Sequence, residues 1–182
     1  MSDASTETIT GGRVAGAHAG PDPLGIYLND HLAGSTAGLR LARRTATAHR
    51  GTPSGDALAR VASEIAEDRD ALLDLMRALG VPERKYKIAA GWAAEMAGRM
   101  KSNGRLVRRS SLSTVIELET LRIGVAGKSA AWHTLRAVAD RYDQIDQARL
   151  DVLLDRARRQ AEVLDELRVT AARAVFGGAD RT

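Results

Sequence analysis

Cysteine is absent from the 182 residues. Its absence excludes a disulfide scaffold and a thiolate metal site, and gives no support to an oxidising compartment. Aromatics are nearly as scarce, with one Phe, two Trp and three Tyr, so Leu, Ala, Val and Ile must form the core. Only four prolines occur, and the alanine-rich, aliphatic stretches with few β-branched runs favour helix over sheet. No run of eighteen apolar residues exists, so no membrane span is predicted. Residues 1–21 are small and polar, include Gly11-Gly12 and carry no apolar h-region. They read as a disordered tail, too poor in apolar surface to offset the entropy of ordering, and a cytoplasmic location is expected. Lysine is rare as well, four of the 27 basic residues. That bias fits a GC-rich bacterial genome and weakens any inference from the net charge of +4.

What is present is helical patterning. Asp22 and Pro23 suit the cap and first turn of a helix running to about residue 50, with Leu24, Leu28, Leu32, Leu39, Ala42 and Ala46 on its inner side. Gly51 ends it, Thr52 caps the next helix and Pro53 opens it. That helix, 53–79, carries Leu58, Val61, Ile65, Asp68, Leu72, Leu75 and Leu79 at spacings of three and four, the seam of a packed bundle helix. Gly80 and Pro82 stop it. A third helix, 111–142, reads Leu118, Leu121, Val125, Lys128, Trp132, Leu135, Ala139 and Tyr142, with Thr114 and Glu117 spaced as a capping box. A fourth, 146–175, reads Leu150, Leu153, Ala157, Gln160, Leu164, Leu167 and Ala171, and frays over 177–182.

The connections predict topology. Short links join helices one to two and three to four, so each pair forms an antiparallel hairpin. Residues 81–110 are far more than a hairpin needs. About eighteen helical and about ten extended residues reach roughly 55–60 Å, enough to return along helices about 40 Å long. The domain expected is therefore an all-α antiparallel bundle over 22–176 with one long crossover. Gly34-x-x-x-Gly38, Gly124 and Gly127 suggest close approach of helices within the bundle, and not a membrane dimer in a chain of this polarity; a homodimer is a separate partner expectation.

The stretches YLNDHLAG, EIAEDRDALLDLMRALG, VIELETLRIGVAGK and LLDRARRQAEVLDELR, with the short-long-short connections, resemble the ferritin-like superfamily across about Leu24 to Ala172. They look like a divergent bacterial branch of it. The resemblance implies a ferritin-like four-helix bundle with a helical crossover, and iron or manganese held by a carboxylate on each of two helices and Glu-x-x-His motifs on the others. Here Glu64-x-x-Glu67 and Glu162-x-x-Asp165 stand without a histidine, and Glu119 is the remaining carboxylate of that alternative set. A different metal site could draw on His31 and His133 with Asp70 or Asp155.

The seams argue in another direction. With helix directions alternating within each hairpin, Ser35, Asp68, Lys128 and Gln160 fall at one level, each interrupting its own apolar stripe. An ammonium beside a carboxylate supplies the positive charge a metal would otherwise bring, and repels a divalent cation. Asp68 and Lys128 are therefore expected to form a buried ion pair, with Ser35 and Gln160 completing its hydrogen bonds. Such a layer fixes helix register, or forms a small polar pocket for an anion or small molecule.

The crossover is basic. Arg84, Lys85, Lys87, Arg99, Lys101, Arg105, Arg108 and Arg109 face only Glu83 and Glu95, a net +6 that leaves −2 elsewhere. Ile88, Trp92, Met96 and Met100 give it an apolar helical face. It predicts a docked amphipathic helix, or contact with a membrane surface or an anionic partner, without sequence-specific nucleic-acid recognition. The functional expectation is a non-catalytic binding or scaffold protein without a cofactor. The alternatives are a di-iron or iron-handling oxidase and a membrane- or polyanion-binding protein.

Overall fold

The computed structural model describes residues 22–84 and 111–177. Apart from Arg84, the basic crossover residues lie outside this range. Four long helices are present among the described residues, with no strand: α1 (Pro23–Ala48), α2 (Pro53–Ala78), α3 (Ser111–Ala137) and α4 (Gln147–Phe176).

Their starts follow local chemistry. Asp22 accepts from the amides of Leu24 and Gly25 at 3.1 and 2.9 Å, and Pro23 occupies a position whose amide would have had no helical partner. The Thr52 hydroxyl accepts from Gly55 at 3.0 Å and donates to the His49 carbonyl at 2.7 Å. Asp146 caps α4 through Ala148 and Arg149. The hairpin at 49–52 and the exit from α2 each turn on a left-handed glycine, Gly51 at φ +80° and Gly80 at φ +67°. Beyond α2, Asn29 of α1 holds the outgoing chain, donating to the Pro82 carbonyl at 3.2 Å and accepting from the Arg84 amide at 2.7 Å.

One cap and one boundary differ from the sequence expectation. The Thr114–Glu117 capping box does not form the start of α3, because the helix already runs from Ser111. Thr114 instead meets His49 Nε2 at 3.3 Å, and Glu117 is buried against Thr45 and Arg44. At the other end α3 stops at Ala137, and a 3-10 turn, Ala139–Arg141, replaces the expected last turn to Tyr142. No proline or glycine causes this stop. Tertiary packing does: Ile145 is buried in the same cluster as Trp132, Ala139 and Leu150, which requires the chain to tighten and fold beneath the bundle end.

The helices pack as two hairpins, α1 with α2 and α3 with α4, joined by sparser α1–α3 and α2–α4 contacts. Thr45, late in α1, touches Glu117, early in α3, so those neighbours are antiparallel. Leu58 shares a cluster with Leu118 and Leu121, while Met76 shares one with Trp132 and Leu135. Helices α2 and α3 therefore run in the same direction on a diagonal, an arrangement that needs a link as long as 81–110. The apolar interior is divided. One cluster centres on Leu28, Leu72, Met76, Trp132 and Leu153, the other on Leu39, Leu58, Val61, Leu121 and Leu164. Asp68 and Lys128 lie between them.

The four glycines expected to bring helices together do not. Among the described residues, a Cβ placed on Gly34, Gly38, Gly124 or Gly127 would meet nothing within 4 Å. Instead all four line a cavity of about 450 Å³ bounded by α1, α2 and α3. Glycine inside a helix is less stable than alanine by roughly 0.5–1 kcal/mol. Each Gly→Ala change at these four positions should therefore raise stability by about 0.5–1 kcal/mol in urea unfolding. Gly55→Ala should destabilise, because its Cβ would stand 2.0 Å from the His49 carbonyl oxygen. An equal loss at all five positions would contradict this account of the cavity.

Candidate functional site

The site is built where the two apolar clusters part. Asp68 comes from the middle of α2, Lys128 from α3, and Gln160 and Arg156 from α4. Lys128 Nζ donates to Asp68 Oδ2 and to Gln160 Oε1. Gln160 Nε2 donates to Asp68 Oδ2 at 3.2 Å and to Glu64 Oε2 at 3.0 Å. Arg156 reaches Asp68 Oδ1 at 3.2 Å and Glu67 at 2.8 Å. Both oxygens of Asp68 are thus occupied, as a carboxylate with a side chain only 1% exposed requires. Lys128 is 13% exposed at its side chain and sits at the cavity edge of the layer. Desolvation pulls its pKa below the ordinary lysine value, against the opposing pull of Asp68.

Three of the four residues expected in one layer therefore meet. Ser35 does not join them. It reaches the same cavity wall, but its hydroxyl donates to the Leu32 carbonyl at 2.8 Å, a local bond one turn back along α1. Arg156 and Glu64 take the place assigned to it. Neither is on its helix seam, yet each lies four residues before a layer member, Gln160 and Asp68 respectively. That spacing puts them on the same face one turn away, a signal the sequence carried.

The residues proposed for metal do not converge. Among the described residues no group of three His, Asp or Glu side chains is placed to hold an ion. Glu64 and Glu67 are bound by Gln160 and Arg156, Glu162 by Arg158 at 3.2 Å, and Glu119 is exposed. Asp70 and Asp155 face Arg69 and Arg158 on the surface. His133 is exposed, whereas His31 is half-buried, edge-on to the Tyr27 ring at 4.5 Å. Burial lowers its pKa, with Asp30 opposing, so the ring favours its neutral form.

Above the ion pair lies the cavity of about 450 Å³. Ile65, Leu72, Leu121, Val125 and Trp132 form apolar wall, and Asp68 and Lys128 form a polar edge. Exposed Ile123, Gly124 and Gly127 mark its open side. Lys128 is paired with Asp68, and Arg69 with Asp70 and the Thr36 hydroxyl, while exposed Asp30 adds a carboxylate to the lining. Among the described residues no helix is long and apolar enough to cross a membrane. Neither protein-family models nor curated proteins nor solved structures yield a match to the chain.

Removing one member of a buried pair leaves the other charge uncompensated. Lys128→Met should lose about 3 kcal/mol, toward the lower end for such pairs because Arg156 still serves Asp68. The double variant Asp68→Leu/Lys128→Met should return to within about 1 kcal/mol of the parent, a coupling read by a double-mutant cycle. Additive losses would mean the pair does not hold the centre. The pH dependence has a definite sign. The folded protein releases the Lys128 proton below the ordinary value of 10.5, while the unfolded chain still binds it. Stability therefore rises with pH across that window, and Lys128→Met should lack this rise.

Proposed function

We propose that this chain is a non-catalytic, ferritin-like helical bundle that binds a small, neutral, largely apolar molecule in the cavity between α1, α2 and α3. The parallel α2–α3 diagonal and the short-long-short links favour the ferritin-like reading. The lysine argues for a non-catalytic one. Lys128 stands among Asp68, Gln160 and the carboxylates of α2 at mid-bundle, and its ammonium provides the positive charge that a metal would bring.

One observation carries the binding role. Among the described residues, four glycines inside helices leave open space where side chains would pack, at a cost of roughly 0.5–1 kcal/mol each. A volume of about 450 Å³ falls within the range of small-molecule sites. Charge pairing selects the ligand. An anion would have to approach Asp30 and Asp68, the latter already sharing Lys128, and a cation would meet Lys128 and Arg69. A neutral apolar body avoids both costs.

The test is titration of the neutral fluorophore N-phenyl-1-naphthylamine into Trp92→Phe protein, which leaves Trp132 as the sole tryptophan. One saturable site that quenches Trp132 is expected. Gly124→Leu, which fills the cavity, should weaken binding about tenfold, ~1.4 kcal/mol. Absence of a saturable site would sink the binding role and mean that the space is filled by the chain itself. Near-stoichiometric iron or manganese in protein from metal-supplemented cells would overturn the non-catalytic reading.

A further inference from the structure

The indole nitrogen of Trp132 is the buried side-chain donor that lacks any partner among the described residues. The residue is 2% exposed and lines the large cavity as well as a smaller one of about 60 Å³. A buried N–H without an acceptor is costly, and native interiors rarely leave one so. Lys128 lies four residues earlier on α3, hence on the same face one turn away. Its ammonium carries three donors, and Asp68 and Gln160 account for two of them. Two residues that line the large cavity thus carry donor groups with capacity to spare on one face of α3.

From this convergence we infer that the ligand carries a carbonyl oxygen, as in an apolar ketone, aldehyde, ester or quinone, which accepts a hydrogen bond from Trp132 Nε1–H with Lys128 as neighbouring donor. This rests on the cavity-binding reading above and specifies its chemistry. A carbonyl fits better than a hydroxyl, because it has two acceptor lone pairs and no proton of its own to satisfy. It fits better than a carboxylate, because it brings a dipole and no second negative charge beside Asp68.

A matched pair of probes tests it: 2-acetylnaphthalene and 2-isopropenylnaphthalene, nearly the same shape, with C=O in the first and C=CH₂ in the second. Both are titrated into Trp92→Phe protein and into the same protein carrying Trp132→Phe. Loss of the indole should weaken the ketone about fivefold more than the alkene, ~1 kcal/mol. Independently of the variant's folding, the ketone should shift the Trp132 indole proton resonance downfield, and the alkene should not. If neither probe binds, the cavity-binding reading falls and takes this inference with it. If both bind, with equal losses in the variant and no indole shift, the inference alone is overturned. The N–H would then be served by water in the smaller cavity of about 60 Å³ that Trp132 shares with Gln144, Asp146 and Arg149.

Discussion

The ammonium of Lys128 lies between two apolar clusters, and most of the polar order inside the bundle follows from keeping it there. Burying a charge requires an opposite charge and filled hydrogen-bond positions. Asp68 supplies the charge. Gln160 bonds both partners and passes the network to Glu64, while Arg156 closes the second Asp68 oxygen and reaches out to Glu67. The result ties α2, α3 and α4 at one level. Sliding any of them by one turn would strand a charge in a core of leucines and valines, so the network sets register more than it adds stability.

Helix α1 is outside that network. Its polar side chains at this level, Ser35 and Thr36, bond back to the Leu32 carbonyl, and Thr36 also accepts from Arg69 at 3.1 Å. With Gly34 and Gly38 in the same stretch, α1 offers no side chain to fill the space above Lys128. Opposite, Gly124 and Gly127 leave α3 equally bare. The cavity is the joint result of an ion pair that fixes three helices and of glycines that leave part of the α1–α3 face without side chains. Its chemistry follows from the same parts: the Lys128–Asp68 pair at the edge, aliphatic walls, and an indole donor without an acceptor among the described residues.

Much of the fold was legible in the sequence because it rests on local rules. Asp22–Pro23 and Thr52–Pro53 are helix starts wherever they occur before an apolar-periodic run, and Gly51 and Gly80 supply the left-handed turns. The seam of α2 placed Asp68 in the interior, and that of α3 placed Lys128 opposite it. Where the reading failed, a distant contact outweighed a local preference. Glu117, well spaced for a capping box, is drawn inward by Thr45 and Arg44 from α1. The α3 terminus carries no breaker residue and is decided by burial of Ile145.

The candidate site divides in the same way. The amino-acid order determined that a lysine and an aspartate would interrupt apolar seams near the same height, because periodicity and helix length follow from residue type and number. It determined also that the Glu-x-x-His pattern is missing. Only the tertiary structure decided that Ser35 turns to its own helix, that Arg156 takes its place, and that the glycines border open space. A small residue permits close packing and a void equally, and which of the two results depends on how far apart the neighbouring backbones are held. Here that distance belongs to the whole bundle, and no single helix encodes it.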